Sequence, residues 1–545
     1  MVGMAAVGLM LVAPAAPVPA QPPVPAPKAD RFKAQEFARI VYQTGEAVAG
    51  RYARPVEMRD LVDGAVRGLY EECGLTVPDR VRQAVRGATG ATELVDALTD
   101  VRLLLANQPA LRGPRALYAA VNGFKHATDP NSQLVSPRAN TFASVDMDFH
   151  IGIELEGVGA AAWMLYQVEY RTALGQYAPA GWLDPRPRPE DVAAPAGVPW
   201  RISRVIPESP AQKAGLKPGD VITHFNGAEV RAENANKLFA QFAYPPQMFD
   251  PQTGLPKPFD RTLTIRRDNG KPFTASVKGT SYTPASAFGV IRTAEDKWDC
   301  VLDRRYKIGY LRLGAIETGL DEKVAEMLAD LDKKGCRALI LDLRWCPGGY
   351  IDPGVRIAGM FLPNNALIAQ MKYRNPNEPG NERDLRNVFP DIPHYTKYPI
   401  AVLIGNETTG GGELIAAALR DNDRCVLVGQ RTVGRASIQN IADAGFGGLS
   451  FKVTIGESFR PNGKPRQKKP DSGPADDWGM KPDEGLEVPV TRDKSAELRK
   501  WAELHALRPA DGTEALDFDD PDKDPYRVKA LDYLRKKLGK PAEGK

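Results

Sequence analysis

At 545 residues the chain is too long for one ordinary hydrophobic core; at roughly 100–200 residues per domain, three or four units are expected. Its 43% hydrophobic and 26% charged residues are the composition of a soluble globular protein. Basic and acidic side chains number 72 and 68, net +4, which leaves no surplus for the concentrated basic face of a nucleic-acid binder.

The first element is the apolar run MAAVGLMLVAPAAPVPAQ (4–21), followed by PPVPAPKAD. It resembles the hydrophobic region of a secretory signal with a V-x-A site near Ala20, although no basic residue precedes it. Residues 1–30 are therefore read as a signal-like segment and linker, and an exported, periplasmic or cell-envelope location is expected. Pro14, Pro17 and Pro19 interrupt a run already shorter than about 18 residues, so it makes no firm membrane span.

Residues 31–144 form a helical region. Met58, Leu61, Val62, Val66, Leu69 and Tyr70 recur at helical spacing, as do Leu94, Leu98, Val101 and Leu105. From about 145 the texture changes to short strands. HIGIELEG (150–157) alternates like a strand, a Pro/Ala-rich insertion occupies 157–199, and WRISRVIPESPAQKAGLKPGDVITHFNGAEV (200–230) closes on the Asn226-Gly227 turn. A hairpin around Asn269-Gly270 follows, and this β-rich unit spans 145–285.

Residues 300–490 alternate strand and helix. IGYLRLGAI leads into a helix striped by Leu320, Val324, Leu328 and Leu331. RALILDL (337–343) is a continuous apolar run, as in a strand buried on both faces. IAVLIG, a helix from about 412, and CVLVG repeat the theme, which defines an α/β core. The charged tail, 491–545, reads as surface helices on that core, with a basic membrane-surface helix over 525–540 as the sharper alternative. The five cysteines are scattered, with no C-x-x-C, and read as buried thiols. No metal or other cofactor is indicated, and nothing signals a particular oligomeric state.

Two segments carry a resemblance. ESPAQKAGLKPGDVITHFNG resembles the PDZ domains of bacterial proteases. Such a domain binds a protein or peptide C-terminus by adding it as a strand. The resemblance implies that Gly152 lets the backbone approach the terminal carboxylate, with Ile151 and Ile153 flanking a pocket for the last side chain. KIGYLRLGAIETGLDEKVAEMLADLDKKGCRALILDLRWCPGGYIDPGVRIAGMFLP (307–363) is similar to the C-terminal-processing (tail-specific) serine peptidases of family S41, as are NETTGGGELIAAALRDNDRCVLVGQRTVGRASIQ (406–439), FRPNGKPRQ and WGMKPDEGLEV. The resemblance covers about 115–490. It implies a crotonase-like (ClpP/crotonase-type) α/β peptidase core behind a helical region and a PDZ domain, hence a multidomain α/β protein.

That family works with a Ser–Lys dyad, in which a desolvated neutral Lys takes the serine's proton. Aligned on Glu413, the Ser position is Gly412, and in the T-x-G-K-x-x-x-Q run the Lys position is Arg435, with Gln439 matching the Gln. Glycine has no nucleophile, and an Arg guanidinium stays protonated. A one-residue slip changes nothing, since 410–412 are all glycine. Gly348 and Gly349 match the turn that supplies oxyanion N–H groups, and Gly410–Gly412 open a helix N-terminus.

Thr408, Thr409 and Ser437 are the alternative hydroxyl nucleophiles, and Glu407, Glu413 and His394 the nearest groups for a base. The expected function is recognition of protein or peptide C-termini by a catalytically impaired relative, with an active endopeptidase using a substitute hydroxyl as the alternative. In the impaired reading Arg435 either receives a carboxylate through bidentate hydrogen bonds or forms an internal salt bridge with Glu413 or Asp421. Acyl-thioester chemistry on the same core finds no specific residues.

Overall fold

The computed structural model describes residues 28–113, 115–129, 131–135, 151–156, 199–243, 259–279, 285–293, 297–373, 383–389, 391–443, 450–507 and 515–542. The signal-like segment up to residue 27, His150 and nearly all of the 157–199 insertion lie outside them.

Five helices open the chain: α1 (Lys28–Arg51), α2 (Met58–Glu72), α3 (Asp79–Gly87), α4 (Ala91–Leu104) and α5 (Arg115–Asn122). The apolar stripe of α2 is fully inward: Leu61, Val62, Val66 and Leu69 are at most 1% exposed. This helical core is not closed on itself. It takes in Leu134 from strand β1 (Gln133–Val135), and Phe451 and Val453 from a strand more than 300 residues away, so the helical region is welded to the smaller sheet that flanks the core.

The second unit is an antiparallel sheet of β2 (Ile153–Leu155), β3 (Trp200–Val205), β4 (Val221–Phe225), β5 (Phe259–Arg266) and β6 (Phe273–Gly279), in the order β2-β3-β4-β5-β6. Two helices, α6 (Pro210–Lys213) and α7 (Ala235–Ala243), complete it. Trp200 packs edge-on against Phe239 and Phe225 against Phe242, with centroids 5.7 and 5.5 Å apart. Among the described residues β2 is an edge strand, paired with β3 alone.

The third unit centres on a mainly parallel sheet. Its strands are β7 (Val301–Asp303), β8 (Ile308–Leu313), β9 (Ala338–Asp342), β11 (Ile400–Ile404) and β12 (Cys425–Gly429), in the order β7-β8-β9-β11-β12. Every residue of β8, β9 and β11 is buried, because helices cover both faces. On one face lie α8 (Leu320–Lys333), α9 (Ile351–Gly359) and α10 (Gly411–Asp421). On the other lie α11 (Arg492–Ala506) and α12 (Pro525–Leu538), from the charged tail.

That second face also holds buried charge. Arg344 bridges Asp342 on β9 and Asp524 at the start of α12, both at 2.7 Å, and Arg527 reaches Asp524 at 3.3 Å. A smaller sheet flanks the core. In it β14 (Ser450–Phe459) pairs with β1, with β10 (Leu367–Tyr373) and with β13 (Ser437–Asp443).

Candidate active-site cleft

β11 delivers the chain to a loop, 405–410, that turns into α10 and buries Thr408 and Thr409. Thr408 locks it: its hydroxyl donates to Leu343 O at 2.8 Å and accepts from Gly405 N–H at 2.9 Å. Thr409 N–H donates to Cys346 O at 3.0 Å. The turn at Gly348 and Gly349 lies directly beneath. A Cβ on Gly348 would come within 2.6 Å of Gly411 N, and one on Gly349 within 2.1 Å of Ile316 O. Side chains are excluded here by backbone packed on backbone, while Ile316 N–H donates to Gly348 O and Tyr350 N–H to Ile316 O.

The cleft is tied together by one carboxylate. Glu413, fully buried, sits in the first turn of α10 and reaches back across the loop. Its Oε1 accepts from Gly434 N–H at 2.7 Å and from the Thr432 hydroxyl. Its Oε2 accepts from Gly410 N–H at 3.1 Å and Arg435 N–H at 2.8 Å. Burial pushes the Glu413 carboxyl up from its ordinary value, and Arg466 and the N–H donors pull the other way.

Arg466, 2% exposed, mirrors the arrangement from the other side. Its Nη1 donates to Gly410 O at 3.2 Å and to Arg435 O at 3.5 Å, and lies 3.8 Å from Glu413. Positions 410 and 435 are therefore held opposite one another through both their N–H and their C=O groups.

This corrects the position read from the sequence. A Cβ on Gly412 would meet Cys346 Cβ, O and Sγ at 3.0, 3.0 and 3.1 Å, so a side chain there points into the core. Gly410 is different. It caps α10 at φ 54°, ψ −112°, and a Cβ on it would meet nothing nearer than Pro347 O at 3.5 Å and Gly348 Cα at 3.7 Å. The site facing Arg435 is at Gly410, two residues before Gly412.

The other expected residues divide. Arg435 is exposed, and among the described residues its guanidinium has no hydrogen-bond or ion-pair partner. Neither internal salt bridge forms, because Asp421 is taken by Arg460 and the Glu413 oxygens by the N–H groups above. Gln439 is turned away, its Nε2 donating to Asn131 O at 2.6 Å.

The Thr408 hydroxyl is spent on the loop, whereas Thr409 Oγ1 and Ser437 Oγ are buried without a hydrogen-bond partner. His394 bonds Leu362 O at 3.0 Å and Glu407 pairs with Arg499 of α11, so neither serves as a base here. No cluster of three or more metal-ligating side chains occurs among the described residues.

In the β-rich unit, Gly152 has φ 85°, which an L side chain rarely adopts. Ile151 O accepts from Ala211 N–H at 2.8 Å and Gly152 O from Ile206 N–H at 2.9 Å. The Ile151 and Ile153 side chains are 0% and 4% exposed and belong to the unit's own core, so they do not flank an open pocket as expected.

The sequence reading missed Arg466 and Asn131 and gave no role to Thr432, the first residue of the T-x-G-K run; all three act on the site through their neighbours. Arg466 lies within the quoted FRPNGKPRQ, but its contact with the 410 loop spans 56 residues and left no local signal.

Comparison with known proteins identifies the class. Residues 307–484 match the model of peptidase family S41, and 201–238 match that of the PDZ domain. The carboxyl-terminal-processing protease of Synechocystis is 26% identical over 288 residues, 52% of this chain and 58% of that protein. The carboxy-terminal processing protease CtpB of Bacillus subtilis is 25% identical over 267 residues, 48% of this chain and 49% of that protein. The chain thus spans about half the length of the curated relatives it matches. A photosystem II D1 C-terminal processing protease structure aligns over 83% of this chain and 93% of its own, at 18% identity and a TM-score of 0.37. The chain therefore carries a region similar to peptidase family S41 and a region similar to the PDZ domain, on an S41-type α/β core behind a helical N-terminal region, and it resembles the carboxyl-terminal-processing proteases.

Proposed function

We propose that this protein captures the carboxy-termini of proteins or peptides on its PDZ domain and does not cleave them by a Ser–Lys dyad. One observation carries the reading. Glu413 and Arg466 still hold two backbone positions face to face, as an attacking group and its base require, yet the residues there are Gly410 and Arg435. The edge of β2 that no described strand pairs, next to the positive-φ Gly152, is where an added strand would pair. Action outside the cytoplasm is part of this reading, supported by the apolar run at 4–21.

The test is proteolysis of an unfolded protein with an apolar C-terminus. Wild type is expected to be inert and Gly410→Ser/Arg435→Lys to cleave. Gly412→Ser/Arg435→Lys should stay inert, because its hydroxyl would face Cys346. Cleavage by wild type sinks the proposal.

A second reading has its own observation. Thr409 Oγ1 and Ser437 Oγ are buried hydroxyls without partners, so either is available as a nucleophile in an active endopeptidase. A serine-directed phosphonate that labels wild type but not Thr409→Val or Ser437→Ala would establish it.

A further inference from the structure

β14 lies between the helical region and the core, and its two faces differ. Phe451 and Val453 enter the helical core. Lys452, between them, must point to the opposite face, directly across from Gln133 of β1 and Ile441 of β13. Gln439 and Thr454, the pair two positions along, share that face.

Lys452 is half-buried, and among the described residues its amine has no hydrogen-bond or ion-pair partner. Arg435 has none either. Burial holds the Lys452 amine below its ordinary value, the Arg435 charge lowers it further, and Asp129 opposes both.

More positive charge gathers beyond them. Glu457, paired with Ser437 across β13 and β14, feels the charges of Arg54, Arg466, Lys469 and Lys372. With Arg435 and Lys452 these make six cations, against the carboxylates of Asp129, Glu413 and Glu457. Lys452 is partly withdrawn from water beside the exposed positive charge of Arg435, with Asp129 as the opposing carboxylate, and an anionic ligand between the two cations would offset that cost.

We infer that Arg435 and Lys452 form a carboxylate-binding subsite for an acidic side chain of the polypeptide held in the cleft. The inference rests on the tail-binding reading in one respect: with the terminal carboxylate at the PDZ domain, a second carboxylate on the same chain has to come from Asp or Glu. The guanidinium fork of Arg435 suits bidentate contact, and Lys452 adds a point charge from the strand.

The experiment is fluorescence anisotropy on the full chain with four labelled peptides sharing an apolar C-terminus. Two carry an internal Asp/Glu run and two the Asn/Gln counterpart, each with a free or an amidated terminus. The acidic peptides are expected to bind about tenfold tighter than the neutral ones. That advantage should shrink with salt and disappear in Lys452→Gln and in Arg435→Gln. Amidation should weaken the acidic and neutral peptides by the same factor.

Equal binding of acidic and neutral peptides overturns the subsite, as does an advantage that survives both substitutions. If the advantage needs a free terminus, the ligand is the terminal carboxylate and the side-chain assignment falls. If amidation costs nothing while the acidic advantage persists, tail capture fails and the subsite stands. Competitive acylation of the Lys452 amine across pH gives a readout that requires no substitution. The acidic peptide should raise its pKa and slow its labelling, and no change counts against the inference.

Discussion

The PDZ domain and the core cleft present recognition with different parts. In the proposed tail capture at β2, a ligand would use backbone N–H and C=O groups on the edge that no described strand pairs, where Gly152 bends the chain at φ 85°. In the cleft the backbone frame is equally complete, but the chemistry of this family depends on a hydroxyl and an amine that would stand at 410 and 435. Backbone function survives almost any substitution that keeps the fold, whereas side-chain function is lost at one codon. The frame around Gly410 and Arg435 is closely held by Glu413 and Arg466 although neither position carries a hydroxyl or an amine.

The sharpest way to break this contrast is to return the side chains. Gly410→Ser/Arg435→Lys should raise the rate of cleavage of an unfolded substrate by roughly 10²-fold or more over wild type, on the scale of a positioned base. A serine at φ 54° carries backbone strain of about 1–3 kcal/mol, so its melting temperature should fall. If the variant is folded and inert, the frame around 410 and 435 is less complete than it looks.

The next largest effect tests the frame itself. Glu413→Ala leaves the Gly410, Gly434 and Arg435 N–H groups and the Arg466 charge without their shared acceptor. It should cost about 3–5 kcal/mol in denaturant unfolding. A loss below about 1 kcal/mol would mean that the loop is held elsewhere, mainly by Thr408.

The covering helix α11 is pH-sensitive in a definite direction. His505, 3% exposed, stacks between Trp298 and Trp501 at 5.4 and 5.1 Å and bonds Val290 O. Burial, with Arg312 adding to it, lowers its pKa from 6.5 to about 4. Between those values the unfolded chain binds the proton and the folded chain resists it. Stability from this group is therefore full above pH 6.5 and is lost as the pH falls toward 4, by up to roughly 3 kcal/mol. His505→Phe should flatten that part of the stability profile, and an unchanged profile would remove His505 as its cause.

On the PDZ side, Gly152→Ala places a Cβ at φ 85°, which costs about 1–2 kcal/mol and should weaken capture of a C-terminal peptide several-fold. Smallest of all is Arg499→Ala. Its exposed pairing with Glu407 should contribute under about 1 kcal/mol to stability.

The architecture was largely legible in the sequence because burial imposes period. β8, β9 and β11 are buried on both faces and read as unbroken apolar runs, and the α2 stripe reads at helical spacing. The absence of both reactive side chains was legible too, since 410–412 are uniformly glycine. The direction each glycine faces was not. That depends on Cys346 lying under Gly412, a contact across 66 positions of chain, which no local pattern encodes. Arg466 was hidden for the same reason, and Lys452 because an alternating strand does not declare what its polar face meets. Ile151 and Ile153 misled in the opposite sense: apolar residues beside a glycine fit a ligand pocket and a domain core equally well.

The covering of the core sheet by α11 and α12 bears on how the chain is made. Ala530, Leu531 and Leu534, all unexposed, belong to the last described helix, and Asp524 just before it neutralises Arg344 beside β9. While the ribosome is still decoding those codons, the sheet has one bare apolar face and Arg344 has only Asp342 to pair with. The α/β core is thus the last unit able to mature, after the PDZ domain, whose core lies almost wholly within 151–277, has left the exit tunnel. A premature stop after Gly429 and before Pro525 would release a chain with its PDZ domain formed and its central sheet half covered, a form prone to aggregate and an early target for quality-control proteases.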